Sequence, residues 1–222
     1  MAIAFGNVTK LCEAAELQNL TVAHTTSGSA RGLMVWIFAN NSGDAVTGVT
    51  YAGTSMTQVA KRARADYAPQ ICYLYWLANP ASGSNNVIIS TSTSITNSTA
   101  YAVSYTGVYQ GAVENSGTNA VSSSGTMTAS ATTIDNNAWL IGGTAGFNSD
   151  NSINASTNTT SRGKNLTVNV GDSNAVSLTP GSNALTWTGI SQQWVCIIAS
   201  IAPGSGGGGS AGNFLPLLGV GI

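Results

Sequence analysis

Short apolar segments alternate with clusters of turn-forming residues along most of the chain. The segments are rich in Val, Ile, Thr, Tyr and Trp, a composition typical of β-strands rather than of helices. Asn, Pro and Gly between them supply backbone angles that β-branched residues avoid. The pattern predicts an all-β fold of antiparallel strands. The candidate strands are 20–25, 32–39, 48–52, 55–60, 70–78, 86–91, 100–107, 126–133, 138–145, 165–170, 184–189 and 194–202.

The segment QICYLYWLA (70–78) is apolar on both faces of the predicted strand. Alternation places Ile71, Tyr73, Tyr75 and Leu77 on one face, and Cys72, Leu74 and Trp76 on the other. A strand with this pattern is expected in the middle of a sheet that is covered on both sides.

Two segments depart from the strand pattern. Residues 10–19, KLCEAAELQN, have helix-forming residues near helical spacing and predict either one short helix or an irregular arm. Residues 146–163 are polar and nearly free of large apolar side chains, which predicts a long exposed loop.

The composition changes after Pro203, where GSGGGGSAGN is followed by FLPLLGVGI. The first stretch is typical of a flexible linker, and the second is a small apolar tail that we expect to dock on a partner. Engineered linkers also contain GGGGS, which leaves an artificial origin as the alternative. The predicted docking residues are Phe214, Leu215, Leu217, Leu218, Val220 and Ile222. We therefore divide the chain into an N-terminal arm (1–19), a β-sandwich domain (20–203) and a linker with its tail (204–222).

Charged residues make up only 7% of the chain, and the net charge is -1. A protein with so little positive charge has no field that could hold a nucleic-acid backbone, so nucleic acid is not an expected partner. The one concentration of charge, Lys61, Arg62 and Arg64 with Asp66, is either an anion-binding patch or, in the preferred interpretation, a solvated loop. At this length we expect one domain around one core.

Catalytic and metal-binding chemistry has little support in the residue content. His24 is the only histidine, the carboxylates are scattered, and the three cysteines are far apart in sequence. A two-histidine metal site is excluded within one chain, and no paired acid and base stand out. We predict a protein that is not an enzyme and has no cofactor. Buried free thiols are preferred for Cys72 and Cys196 over a disulfide between them.

The N-terminus has no charged and apolar stretches typical of a secretory signal, and no segment is long and apolar enough to span a membrane. These features predict assembly in a cytoplasm, unless a leader was removed.

The five tryptophans lie in apolar runs and are expected in the core. Trp187 and Trp194 have more polar neighbours and are the candidates for contact with a glycan.

Six segments together resemble a bacterial and phage β-sandwich family. They are HTTSGSARGLMVWI (24–37), VTYAGTSMTQVA (49–60), CYLYWLANPASGSNNVIIS (72–90), AVSYTGVYQGA (102–112), WLIGGTA (139–145) and LTWTGISQQWVCIIASIAP (185–203). The chain departs from the family pattern at Ala52, where the family has the first glycine of a hairpin, and in the aromatic order of residues 75–77. The resemblance implies a jelly-roll-like or concanavalin-like sandwich of virions, tail fibres or surface proteins.

These observations lead to a first functional hypothesis, a structural virion protein such as a bacteriophage capsid decoration or fibre. Its expected partners are other virion proteins or copies of itself in a symmetric homo-oligomer, for which a trimer is one form. The alternative is a carbohydrate-binding module of a phage receptor-binding or bacterial surface protein, which would bind host-surface glycans. The expected location is the virion, or the extracellular space or cell surface under the alternative.

Overall fold

The computed structural model describes residues 1–40, 43–64, 70–146, 153–165, 167–174 and 178–204, apart from the side chains of Ser122 and Ile190. Every regular element within these ranges is a β-strand, and all strand pairs are antiparallel. The strands are β1 (Ala4–Leu17), β2 (Leu20–Thr26), β3 (Gly32–Ala39), β4 (Val46–Tyr51), β5 (Thr54–Ser55), β6 (Thr57–Ala63), β7 (Ile71–Ala78), β8 (Gly83–Thr91), β9 (Ile95–Thr106), β10 (Asn115–Thr133), β11 (Trp139–Gly146), β12 (Asn154–Ala155), β13 (Thr160–Lys164), β14 (Val168–Asp172) and β15 (Gly181–Ile201). The predicted all-β, antiparallel class is confirmed.

The strands form three sheets. The central sheet has the order β1-β9-β3-β7-β6, and the small sheet has the order β2-β8-β4-β5. The third, which we call the curled sheet, has the order β10-β15-β11-β14-β13, with β12 paired to β15. The expectation of two facing sheets is therefore too simple.

The central sheet is covered on both faces, and its middle strand β3 is buried at every position. Along β3, Met34 and Trp36 pack against the curled sheet, whereas Val35 and Ile37 pack against the small sheet. β7 divides in the same way, so the prediction of a doubly covered strand for this segment is confirmed.

The expected single core is replaced by three apolar clusters. One lies between the central and curled sheets, and a second lies between the central and small sheets. The third lies within the curled sheet and contains Trp187 and Trp194. Alternation along β15 separates these clusters, since Trp194, Cys196 and Ile198 belong to the third and Val195 and Ile197 to the first.

The curled sheet nearly closes on itself because the ladder of β10 and β15 bends. The register of the two strands shifts twice between Val121 and Thr126, which marks a bulged bend. Beyond it the two halves of β10 meet, and Asn119 Nδ2 donates a hydrogen bond to the Thr128 carbonyl at 2.8 Å. A Cβ at position 117 would lie 1.8 Å from the Ser130 carbonyl oxygen, so glycine is required there for the close approach.

Several expectations for individual segments are wrong. Residues 10–17 form neither a helix nor an arm, because they continue β1, which pairs with β9 at one edge of the central sheet. β1 is therefore an edge strand of the central sheet. The two candidate strands 184–189 and 194–202 are one bent strand, β15.

The predicted loop 146–163 is only partly a loop. Its described end contains the buried Ile153 and the short strand β12, and β13 begins at Thr160. The charged segment is also different from the expected solvated loop, since Lys61 and Arg62 belong to β6. Lys61 forms an exposed ion pair with Asp44, whereas Asp66 lies outside the described residues.

Candidate binding groove

An uncharged groove lies where the edge of the central sheet approaches the beginning of β10. It has a volume of about 510 Å³. It is lined by residues 57–59 of β6, 76–78 of β7, 111–113 of the loop between β9 and β10, Asn115 and Ser116. Val59 and Val113 are half-buried and pack against the first apolar cluster. The lining combines these apolar groups with the amides of Gln58 and Asn115, which suits an uncharged ligand with apolar surface.

Trp76 fixes one wall of the groove. Its indole Nε1 donates a hydrogen bond to the Gly111 carbonyl at 3.1 Å, which ties the loop to β7. The far edge of the ring rests on Gly32, where a Cβ would lie only 2.1 Å from Trp76 Cη2. The indole is 4% exposed, so it contributes its edge to the groove rather than a free ring face.

The loop from Gly107 to Glu114 is held by several hydrogen bonds. Gln110 Nε2 donates to the Val108 carbonyl at 2.8 Å, and the Tyr109 amide donates to the Ala202 carbonyl at 2.9 Å. The Glu114 amide donates to Ser200 at 2.8 Å, and the Glu114 carboxylate accepts hydrogen bonds from the backbone amides of Ile134 and Asp135. Hydrogen bonds therefore hold both ends of this loop, which forms one wall of the groove.

Tyr109 is an exposed aromatic residue beside this groove. Its side chain is 54% exposed, and the ring lies against Gly111, where a Cβ would be 2.4 Å from Tyr109 Cε1. Tyr109 was not predicted as a site residue from the sequence. The available signal was a tyrosine between two glycines in GVYQG (107–111), directly after a predicted strand.

The N-terminus and the end of the described chain meet near the same loop. The Met1 ammonium donates to the Gly204 carbonyl at 2.5 Å, and the Gly204 amide donates to the Gly107 carbonyl at 2.6 Å. Gly107 has a φ of +68°, and a Cβ there would lie 1.9 Å from the Ala2 carbonyl oxygen. Hydrogen bonds at its amide and its carbonyl therefore hold Gly204, the last described residue, against the N-terminus and Gly107.

The residues predicted to contact a glycan are placed in the core instead. Trp187 and Trp194 are fully buried inside the curled sheet. Trp187 Nε1 donates to Asn169 Oδ1 at 3.3 Å, and Trp194 Nε1 donates to the Ser124 carbonyl at 2.5 Å. Neither ring offers a face to a sugar, so this prediction is wrong.

The predicted docking residues of the tail, Phe214, Leu215, Leu217, Leu218, Val220 and Ile222, lie outside the described residues.

A buried ion pair lies at the opposite edge of the central sheet from the groove. Arg162, at a bulge in β13, donates from Nε and Nη2 to the two carboxylate oxygens of Asp172 at 2.7 and 3.0 Å. The guanidinium carbon lies 4.3 Å from the centre of the Phe5 ring, which belongs to β1. Burial raises the pKa of Asp172 above its usual value, and the Arg162 hydrogen bonds counteract part of this shift.

The carboxylate of this pair is fully buried and the fully buried Tyr105 lies close to it, whereas the Arg162 side chain is 14% exposed. Burial raises the pKa of the Tyr105 hydroxyl well above its ordinary value, and the nearby Asp172 carboxylate adds to the shift. The arrangement joins the curled sheet to the edge of the central sheet and serves as a structural contact.

His24 has a structural environment. Its Nδ1 lies 2.8 Å from Thr9 Oγ1, and the Tyr51 hydroxyl donates to the His24 carbonyl at 3.0 Å. Burial lowers the pKa of the imidazole to about 4.

The three cysteines are free thiols, and burial raises the pKa of Cys72 and Cys196 well above the ordinary range.

In the part of the chain that the structure describes, no three His, Cys, Asp or Glu side chains are grouped so that they could hold a metal ion. No helix of the length and apolar character needed to cross a membrane occurs in those ranges.

The chain matches no known protein-family model, no curated protein sequence and no solved structure. The family resemblance described above therefore stays a prediction.

Proposed function

We propose that this protein is a structural component of a virus particle, a bacteriophage decoration, fibre or other peripheral protein built on a jelly-roll-like sandwich. In this proposal the apolar segment 214–222 anchors it to other virion proteins or to copies of itself in a homo-oligomer. The observation that carries the proposal is the hydrogen-bonded position of Gly204 beside Met1 and Gly107, after which the sequence contains a Gly-rich stretch and then six large apolar residues.

Two further observations support this proposal. The segments that resemble the phage and bacterial family coincide with hydrogen-bonded strands, for example residues 72–90 with β7 and β8. The surface also carries few charges for its size, which suits a protein held in a large assembly where polar hydroxyl and amide groups face water. Location in a virion follows from the proposal.

The anchor role is tested with a chain that ends at Gly204, which keeps the hydrogen bonds to Met1 and Gly107. We expect this chain to fold and to be lost from purified particles, as measured by quantitative mass spectrometry of copy number. A matched variant keeps the length and replaces the six apolar residues of the tail by serine, and it should also be lost. Normal occupancy of either chain would refute the anchor role.

A second candidate function, binding of host-surface glycans, is favoured by one observation. Tyr109 exposes an aromatic ring beside a groove that also contains the Gln58 and Asn115 amides. Exposed aromatic rings and amides are the groups that sugars bind. A glycan array with the whole chain and with Tyr109→Ala tests it, since specific binding should disappear in the variant. The absence of binding by the whole chain at high concentration would remove this candidate.

A further inference from the structure

The groove beside Trp76 has the chemistry of a site for an apolar peptide. Among the described residues that line it, none is charged, and Val59, Leu77 and Val113 supply apolar surface around the indole edge. The Gln58 and Asn115 amides can donate and accept hydrogen bonds at a peptide backbone. A sugar would leave most of the apolar lining without a hydrophobic contact, so an apolar peptide is the better match.

The chain itself ends its described part close to this groove. β15 runs beside the groove wall, with Ser200 bonded to Glu114 and Ala202 bonded to Tyr109. Gly204 is four residues beyond Ser200, which corresponds to about 13 Å of extended chain. Residues 205–213 separate Gly204 from Phe214, and a segment of that length can span up to about 30 Å. The groove is therefore within reach of the molecule's own tail.

We propose that residues 214–222 fold back and fill the groove of the same molecule. Like the groove, this segment is uncharged, and its large apolar side chains would be removed from water by the contact. A short tether gives the tail a local concentration on the order of millimolar at its own groove, which exceeds that of a neighbouring copy in dilute solution. The inference rests on the proposed function in treating this segment as a docking element, and it assigns the position that the tail holds before it engages a partner.

The first test compares hydrogen exchange in the whole chain with exchange in the chain that ends at Gly204. We expect the amides of residues 111–116 to exchange about tenfold more slowly in the whole chain, because the docked tail covers them. Addition of a synthetic peptide of residues 213–222 to the shortened chain should restore the protection at millimolar concentration. Equal exchange in the two chains would overturn the proposal.

Matched variants locate the contact. Val113→Asp places a charge in the groove and should remove the protection, whereas Thr118→Asp places the same charge on an exposed position of β10 and should leave it unchanged. If Val113→Asp fails to fold, the double variant Leu217→Asp/Leu218→Asp replaces it. This variant places charges in the tail instead of the groove, and it should also remove the protection of residues 111–116. Protection that persists in this double variant would contradict the proposal.

Two further results separate the competing occupants and the two proposals. Protection that is independent of protein concentration supports the molecule's own tail, whereas protection that disappears on dilution would show a second copy's tail and overturn it. Loss of the shortened chain from particles together with equal exchange would retain the anchor role and refute docking in the groove. Slower exchange in the whole chain together with normal particle occupancy of the shortened chain would refute the anchor role and support docking in the groove.

Discussion

The two faces of the central sheet bury their polar groups in different ways. Towards the curled sheet, a complete ion pair of Arg162 and Asp172 is enclosed beside Tyr105. Towards the small sheet, the ionisable group in the interior is His24, and Tyr73 reaches out of the core to Asp44 with a hydroxyl hydrogen bond of 3.0 Å. One face therefore holds charge in the interior, and the other holds a histidine whose neutral form is favoured by burial.

The difference shows that the position of a polar group decides its energetic role. A buried charge is tolerated only with a partner of matching geometry, because the loss of hydration is large. A tyrosine side chain can instead bury its ring and place its hydroxyl near solvent. The two faces should accordingly respond differently to mutation and to pH.

The largest expected effect is at the buried ion pair. Arg162→Met leaves the fully buried Asp172 carboxylate without its charged partner, and we expect the free energy of unfolding to fall by about 3–5 kcal/mol. Lys61→Met is the matched control, since it breaks only the exposed pair with Asp44 and should cost less than about 1 kcal/mol. Urea unfolding measures both values. Equal losses in the free energy of unfolding would mean that burial does not increase the contribution of the ion pair to stability.

The second effect is a pH dependence that originates at His24. Its pKa is about 4 in the fold, against 6.5 for a free imidazole, so the unfolded chain binds a proton more readily. Stability contributed by this group is present above pH 6.5 and is lost as the pH falls towards about 4, by about 3 kcal/mol in total. His24→Gln should remove this slope from a series of unfolding measurements. A slope that survives the substitution would assign it to other groups.

Asp172 acts in the opposite sense, because its pKa is raised in the fold. Its contribution is present at low pH and is lost as the pH rises through the raised pKa. The free energy of unfolding should therefore be measured over the same pH range for the wild-type protein and for His24→Gln. The difference between the two curves gives the contribution of His24, and the slope that remains in the variant contains that of Asp172.

A smaller effect tests how tightly the two faces are packed. A Cβ at position 143 would lie 2.9 Å from both Trp36 Cε2 and Val170 Cγ1, between the central and curled sheets. Gly143→Ala should destabilise the fold by about 1–3 kcal/mol through overpacking. Gly48→Ala in β4 is the control, since its Cβ would meet nothing within 4 Å. Thermal unfolding compares the two, and similar melting temperatures would indicate that the crowded face can relax.

The smallest effect lies in a turn of the small sheet, away from both interfaces. Ala52 has a φ of +49°, a conformation that glycine adopts without the strain of a Cβ. Ala52→Gly should stabilise the protein by about 0.5–1 kcal/mol. Ala23→Gly, at an exposed position of β2, should instead destabilise it because a strand residue gains freedom on unfolding. The same sign for both substitutions would contradict this explanation.

Some features of the fold could be predicted from local pattern alone. Strand β3 was predicted with its observed bounds, and the two apolar faces of β7 indicated its position within a doubly covered sheet. These predictions succeed because side chains alternate between the faces of a strand, so burial on both sides leaves a continuous apolar segment. β1 was missed because its residues are mixed in polarity and lie at an edge of the central sheet.

The candidate groove could not be predicted in the same way. Its walls come from β6, the end of β7 and the loop before β10, and their proximity depends on how two sheet edges meet. Arg162 and Asp172 are likewise brought together by a bulge in β13, a feature that leaves no periodic signal in sequence.

The sequence by itself determined that the chain forms β-strands and that β7 is covered on both faces, since alternation and turn residues are local properties. Only the tertiary structure decided that β15 bends, that Trp187 and Trp194 enter a third core rather than face solvent, and that an uncharged groove opens beside Gly111. The physical reason is that these features depend on contacts between residues far apart in the chain, which local patterns of polarity do not encode.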